Sequence, residues 1–129
     1  MIRIVHALLL LLAATGPAAA PPASVLQTHA TLDVPRGRAQ IVIVQSRDFA
    51  AGSESGWHIH PGTEVAYIAS GQLEMRVKGK VSVLNPGDSF TMPRGVAHNG
   101  VNRGPQAAKI VITLLVDKGA APRQSVPAP

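Results

Sequence analysis

Apolar residues are grouped in short runs along the chain, and the pattern within each run predicts β-strands and almost no helix. Residues 41–44 are four consecutive β-branched residues, and residues 65–69 are similarly apolar. Runs without polar alternation are typical of strands that are buried on both faces. Later in the chain, every second position is apolar, which predicts one apolar face formed by Ile110, Ile112, Leu114 and Val116.

Residues 72–78 alternate strictly between polar and apolar side chains, as expected for a strand with one face in water. The charged residues of this run point away from the apolar face. They are interpreted as solvated surface charges and not as members of a functional site. The apolar positions are Leu73, Met75 and Val77, and the charged ones are Glu74, Arg76 and Lys78.

Turn sequences separate the runs at short intervals. Proline fixes a backbone torsion angle and glycine tolerates positive ones, so clusters that contain them mark chain reversals. Many short strands joined by such turns predict an all-β sandwich or barrel. The clusters are Lys78-Gly79-Lys80, Asn85-Pro86-Gly87-Asp88 and Pro93-Arg94-Gly95.

The chain of 129 residues is long enough for one domain, since domains usually contain roughly 100 to 150 residues. The net charge of +5 comes from arginines and lysines that are scattered along the chain and not from a basic run. Without an aromatic-basic stripe or a nucleic-acid motif, this charge does not predict nucleic-acid binding. Aromatic residues that could grip a large flat ligand are few, namely Phe49, Trp57, Tyr67 and Phe90.

The first twenty residues have the pattern of an export signal. Arg3 gives a positive start, residues 7–14 form an apolar segment with five consecutive leucines, and small residues follow up to Ala20. The apolar segment is shorter than the about 20 residues that span a bilayer, so cleavage and a soluble periplasmic or secreted protein are expected. Cleavage after Ala18 and after Ala20 are both compatible with the sequence, and an uncleaved anchor is the alternative.

Proline and alanine dominate both ends of the remaining chain. Residues 21–23 are predicted to be a linker and residues 119–129 a tail, neither of which can build a core. The domain is therefore predicted to span residues 25–118. The chain contains no cysteine, so neither a disulfide nor a lipid-modified cysteine is expected.

Three histidines and one glutamate are candidate metal ligands. His58 and His60 are two residues apart, so on a strand their side chains project to the same side. Pro61-Gly62-Thr63 turns the chain toward Glu64 at the start of the next strand, and closure of a barrel could bring His98 opposite the other three. Imidazoles combined with a carboxylate suit a borderline divalent metal ion.

The residues around these candidates resemble the two motifs of the cupin superfamily. Gly52-x5-His58-x-His60-x3-Glu64-x6-Gly71 is similar to the first motif, and Gly87-x5-Pro93-x-Gly95-x2-His98-x3-Asn102 is similar to the second. Residues 72–86 separate the motifs, a spacer as short as that of small bacterial cupins. Among these, the chain resembles quercetinase-like, single-domain proteins, and the resemblance covers residues 52–102.

The resemblance implies a single antiparallel jelly-roll β-barrel of the RmlC-like type, with one divalent transition metal ion inside. Carried over by position, the metal ligands are His58, His60, Glu64 and His98. Iron, manganese, nickel, copper and zinc all tolerate this ligand set, and a purely structural ion or no metal at all are the alternatives. Asn102 is expected to be a framework residue, and His29 an ordinary polar residue outside the site.

Two functions follow as hypotheses. The first is a metal-dependent oxygenase that acts on a small oxygen-chelating enol, catechol or carboxylate, with Glu64 as the catalytic proton acceptor. The second is a non-catalytic periplasmic module that binds or senses a small molecule or a metal ion. Oxalate-degrading cupins are a weaker match, because the paired cysteines of germins are absent. Small cupins are commonly dimers, so a homodimer is an expectation that rests on the resemblance alone.

Overall fold

Nine β-strands form the regular structure of residues 37–129, the part of the chain that the computed structural model describes. The predicted export signal, the linker at residues 21–23 and His29 lie outside the described residues. Residues 37–129 contain no helix that is long and apolar enough to cross a membrane. The strands are β1 (Gln40–Phe49), β2 (His58–Ile59), β3 (Gly62–Ser70), β4 (Leu73–Val77), β5 (Lys80–Leu84), β6 (Ser89–Met92), β7 (His98–Val101), β8 (Ala108–Asp117) and β9 (Gln124–Ser125).

The strands form two antiparallel sheets. One sheet has the order β1-β8-β3-β6, and the other has the order β5-β4-β7-β2-β9. Except for β5, which lies beside β4 in the same sheet, each strand lies in the opposite sheet to the strand that precedes it. The chain therefore crosses repeatedly between the sheets, as in a double-sheet jelly roll. The predicted all-β jelly-roll fold is confirmed.

Alternating apolar residues from both sheets fill the space between them. On β4, the charged residues between the core positions pair with each other at the outer surface, with 2.8 Å between Arg76 Nη2 and Glu74 Oε2. The two faces predicted for this strand are therefore confirmed. The core includes Ile110, Ile112, Leu114 and Val116 from β8, Ala66 and Ile68 from β3, and Leu73 and Met75 from β4.

The prediction that residues 41–44 and 65–69 are buried on both faces is wrong. Val42 is 63% exposed and Val44 is 68% exposed, because they lie on the outer face of β1, at the edge of its sheet. On β3, Tyr67 is likewise exposed between buried neighbours. An antiparallel sheet can keep one face in water even where its sequence is apolar throughout.

The predicted turns are present and fix the ends of the strands. Lys78 and Gly79 join β4 to β5 with positive φ angles of 47° and 76°, the conformation whose twist matches that of a two-residue hairpin. After β6, Val96 N donates a hydrogen bond to Pro93 O over 3.2 Å. This second turn sets where the chain enters β7.

Asn102 connects the loops at one end of the barrel. Its side chain is fully buried, and Nδ2 donates hydrogen bonds to Phe49 O over 3.0 Å and to Gln106 O over 2.7 Å. Its Oδ1 accepts a hydrogen bond from Gly104 N over 2.9 Å. These bonds satisfy loop backbone groups that β-sheet pairing leaves open, which agrees with the expected framework role.

Part of the predicted tail belongs to the second sheet. β9 pairs with β2, where Ser125 lies opposite His58 and Gln124 lies opposite Ile59. The strand pairing continues with a hydrogen bond from Val126 N to Trp57 O over 3.0 Å. Strand pairing thus continues beyond residue 118, where the domain was predicted to end. The strand could not be predicted from the composition of this segment, because β9 pairs with β2 through backbone hydrogen bonds and needs no apolar side chain.

Candidate metal centre

The four candidate ligands meet between the two sheets. His58 lies on β2 and pairs directly with His98 on the neighbouring strand β7 of the same sheet. His60 follows β2, and Glu64 lies on β3 of the opposite sheet. The sequence predicted that His98 would face the other three across the barrel. Instead, Glu64 faces the three histidines, because the turn after His60 carries the chain into the other sheet.

The side chains of this cluster are close together and shielded from water. One nitrogen or oxygen atom from each residue lies within 4.8 Å of the others. The exposed fractions are 7% for His58, 5% for His60, 3% for Glu64 and 1% for His98. Buried polar groups need partners, so this arrangement requires either mutual hydrogen bonds or a bound cation.

Each imidazole is oriented by a backbone carbonyl group. The Nδ1 atoms donate hydrogen bonds to these carbonyl oxygens, which leaves the Nε2 atoms to face the cluster. Metal-binding histidines are held in the same way by partners on their second nitrogen. The distances are 2.7 Å from His58 to Gly56 O, 2.6 Å from His60 to Pro122 O, and 2.9 Å from His98 to Val96 O.

The Glu64 carboxylate completes the cluster through one oxygen. Its Oε2 atom lies 3.0 Å from His98 Nε2 and 3.1 Å from His60 Nε2. Because each Nδ1 already donates to a carbonyl group, Nε2 of a neutral ring can only accept, so its short contact with the ionised carboxylate needs a shared proton or a bound cation. His60 Nε2 is buried without a hydrogen-bond partner among the described residues. A metal ion would satisfy this nitrogen together with the carboxylate. The cluster therefore fits a divalent metal site.

The electrostatic balance of the cluster also suits a cation. Burial alone would raise the pKa of Glu64, but the imidazoles of His60 and His98 outweigh it and hold that pKa at about 2. Burial lowers the pKa of His58 to about 4. Burial opposes protonation of His60 too, but the Glu64 carboxylate and the Pro122 carbonyl raise its pKa. At neutral pH the site therefore offers an ionised carboxylate and a neutral His58 imidazole to a metal ion.

In the metal-free protein, we expect acid to weaken the fold between about pH 6.5 and pH 4. His58 takes up a proton near pH 4 when folded, but near pH 6.5 when unfolded. The unfolded state therefore binds more protons in this window, so the free energy of unfolding falls as the pH falls. His60 does not oppose this loss, because its raised pKa gives stability that is already complete below pH 6.5.

This expectation can be measured by titrating the imidazole NMR signals of metal-free protein and by denaturant unfolding at the two ends of the window. The His58→Gln variant is the control, because it should lose the His58 part of the pH dependence while keeping that of Glu64 below about pH 4.5. A His58 signal that titrates near pH 6.5 would contradict the prediction.

A cavity of about 150 Å³ opens onto the cluster. Its walls are mainly apolar, with Phe49 and Phe90 as the aromatic side chains among the described lining residues. Trp57 is half-buried and does not line this cavity. The polar side chains that line the cavity outside the cluster are Gln45, Arg47, Ser55 and Arg123.

Three residues around the site were not identified from the sequence. Arg47 was counted among the scattered surface charges, although it is two residues from the buried Phe49 and therefore shares the inner face of β1. The two-residue spacing between Arg47 and Phe49 was the signal that could have placed Arg47 on the inner face. Pro122 and Arg123 were assigned to the tail, and no local pattern could predict that they return to His60 and to the cavity.

A comparison with known families matches residues 46–115 to Cupin_2, the cupin domain. The chain belongs to the Cupin_2 family. The match covers β2 to β7 completely, the last four residues of β1 and most of β8, and it includes all four residues of the cluster. The resemblance found in the two sequence motifs is thus confirmed, and the jelly-roll sheets are those of a cupin.

Relatives of this cupin include oxalate oxidases. Oxalate oxidase GF-2.8 of Triticum aestivum is 32% identical over 75 residues, which cover 51% of this chain and 34% of the relative. The chain thus spans about a third of the length of that protein. In the sequence, oxalate-degrading cupins were the weaker match because the paired cysteines of germins are absent, yet oxalate oxidases are among the relatives found.

Two solved structures show the same fold. An RmlC-like cupin from Shewanella frigidimarina is 28% identical with a TM-score of 0.54, covering 60% of this chain and 68% of that one. An oxalate oxidase in complex with the substrate analogue glycolate is 28% identical with a TM-score of 0.59, covering 67% of this chain and 46% of that one.

Proposed function

We propose that this cupin is an exported metal-dependent oxygenase that acts on a small oxygen-chelating carboxylate. The observation that carries the proposal is the convergence of three imidazoles and one carboxylate at a small cavity in the interior of the barrel. Export is part of the proposal and rests on the signal-like pattern of residues 1–20.

In this proposal His58, His60, Glu64 and His98 hold one divalent transition metal ion. Iron, manganese, nickel, copper and zinc all accept such a ligand set, and iron, manganese or copper would suit an oxygenase. When bound, such an ion would polarise the oxygen atoms of a chelating substrate and exchange electrons with oxygen. One carboxylate against a divalent charge leaves a net charge of about +1, which favours an anionic substrate.

The residues of the chain itself orient the site and handle protons. The carbonyl groups of Gly56, Val96 and Pro122 hold the three imidazoles with Nε2 toward the interior. Glu64 is ionised at neutral pH, and its contacts with the histidines involve Oε2. Its Oε1 atom is therefore the oxygen that we assign to accept a proton from the substrate.

The size of the cavity favours a small substrate. A volume of about 150 Å³ is well below the roughly 300 to 1,000 Å³ of pockets that bury larger ligands. Of the three substrate classes that the sequence allows, a short carboxylate fits this space best, whereas a flavonoid would need a wider aromatic slot. The solved oxalate oxidase with its substrate analogue glycolate supports this choice, because glycolate is a short carboxylate.

One observation favours a second function, a non-catalytic module that binds a small anion or a metal ion. Among the described residues that line the cavity, Glu64 is the only carboxylate, and the histidines all belong to the cluster. An oxygenase would have to use Glu64 both as a metal ligand and as a proton acceptor. A binding protein would need no proton acceptor.

Metal analysis and oxygen uptake distinguish the two functions. The protein is purified from the exported fraction of its own host, its metal content is measured, and oxygen consumption is followed with glycolate, oxalate, lactate and malate, with catechol and a flavonol for comparison. We expect about one redox-active metal ion per chain and oxygen uptake with a short carboxylate. The uptake should stop when a chelator removes the metal and return when the metal is restored.

The outcome that favours the binding module is equally specific. A full complement of redox-active metal without oxygen uptake on any of these compounds would reject the oxygenase and keep the metal site. Uptake that persists after complete metal removal would reject a metal-dependent reaction.

A further inference from the structure

Two arginines approach the cavity from opposite sheets. Arg47 lies on β1, in register with Ile110 of β8, and Arg123 immediately precedes β9 in the other sheet. Both side chains line the cavity that opens onto the four-residue cluster. They are half-buried, so their charges are partly removed from bulk water.

The guanidinium group of Arg123 is bound only to neutral acceptors among the described residues. Its Nη2 donates to Ser55 O over 2.6 Å, and its Nη1 donates to Ser125 Oγ over 3.1 Å. Its Nε is buried without a partner in the described part of the chain. The side chain is thus held in place by the backbone, while its charge is not neutralised.

The charge of Arg47 is also not neutralised by a carboxylate among the described residues. Its guanidinium carbon lies 5.9 Å from the ring centroid of Phe49, a contact of the cation–π type. Within residues 37–129, neither Arg47 nor Arg123 forms a salt bridge, whereas Arg38, Arg76 and Arg94 each pair with an aspartate or a glutamate. The two arginines at the cavity are therefore distinct from the paired arginines of the surface.

The two positive charges also act on each other. Burial and the charge of Arg47 together lower the pKa of Arg123. Like charges that share a partly buried space are unfavourable unless an anion lies between them. A guanidinium group presents its N–H donors in a planar fork that matches a carboxylate, so two such groups can bind one carboxylate firmly.

We propose that Arg47 and Arg123 form an anion subsite that receives the second carboxylate of a substrate whose first chelating group faces His58, His60, Glu64 and His98. This inference rests on the proposed function and narrows its substrate to short dicarboxylates, such as α-hydroxy or α-keto diacids. A monocarboxylate would fill only the end of the cavity at the cluster and would leave both arginines without a counter-ion.

The test compares malate with lactate, two α-hydroxy acids that differ in whether a second carboxylate is present. Binding is measured by titration calorimetry on zinc-loaded protein, in which no redox chemistry competes. We expect the wild-type protein to bind malate more tightly than lactate. Arg47→Gln and Arg123→Gln should each weaken malate binding by about tenfold or more, while lactate affinity changes by less than about threefold. Arg103→Gln is the matched control, because it removes the same charge from an exposed arginine that does not line the cavity.

Zinc content is measured for every variant, since Arg123 is next to the residue that orients His60. If Arg123→Gln loses zinc, the malate and lactate affinities of Arg47→Gln alone test the subsite. The subsite is overturned if wild-type protein binds malate no more tightly than lactate, or if the cavity variants weaken both acids equally. Oxygen uptake plays no part in this readout. If zinc-loaded protein binds malate through both arginines while protein carrying its own redox-active metal consumes no oxygen, the subsite stands and the oxygenase is rejected.

Discussion

His98→Ala is expected to strip the purified, folded protein of its metal. The variant removes one of the three imidazoles and leaves the Glu64 carboxylate buried with one partner fewer. Loss of an outer hydrogen-bond partner lowers metal affinity by roughly 10- to 100-fold, and loss of a ligand should exceed that range. We expect the metal content to fall from about one ion per chain to less than about a tenth of that value, measured by elemental mass spectrometry on protein whose β-sheet signal is unchanged.

His58→Ala should also strip the protein of its metal, because it removes another of the three imidazoles. His58 lies opposite His98 on the neighbouring strand. His29→Ala is the matched control, because His29 stands outside both sequence motifs and is predicted not to bind the metal. Full metal retention by both His58→Ala and His98→Ala would reject the proposed ligand set. The ligand set would also be rejected if His29→Ala lost its metal while the other two variants kept theirs.

Removal of residues 121–129 is expected to weaken metal binding without removing any ligand. The truncation deletes Pro122, whose carbonyl oxygen accepts the 2.6 Å hydrogen bond from His60 Nδ1. It also deletes β9, which pairs with β2 beside His58. Without these contacts the His60 ring can rotate or carry its proton on the other nitrogen. Zinc affinity, measured by competition with a chelator, should fall by roughly 10- to 100-fold.

A shorter truncation provides the control. Removal of residues 127–129 leaves Pro122, β9 and the hydrogen bond from Val126 N to Trp57 O in place. This protein should bind zinc as tightly as the full chain. Equal zinc affinities for the two truncated proteins would show that the segment does not support the site.

Much of the fold could be predicted from the sequence, because a β-strand leaves a period of two in the sequence. The alternation at Leu73 and Met75 identified the core face of β4 correctly, and the glycine of the hairpin at Lys78-Gly79 identified its end. The uniformly apolar residues 41–44 carried no such period. Their exposure depends on the edge position of β1 in its sheet, and strand order is not encoded in a single run.

The candidate site could be predicted in its members but not in its arrangement. The spacing of His58 and His60 placed two imidazoles on one side of a strand, and Glu64 and His98 joined them as candidates. The motif resemblance then assigned all four by position. Which of the four faces the others across the barrel depends on how the strands are divided between the sheets. The structure shows that Glu64 has this position.

The sequence by itself determined an all-β fold and a set of four candidate metal ligands, because strand periodicity and ligand spacing are local properties of the chain. The resemblance of its two motifs to those of cupins added the family. Only the tertiary structure decided that Pro122 contacts His60, that β9 pairs with β2 beside the site, and that Arg47 and Arg123 line the same cavity. These contacts join segments about 60 to 75 residues apart, and no local pattern records such a pairing. They form because folding the two sheets against each other brings distant backbone and side chains into one interior.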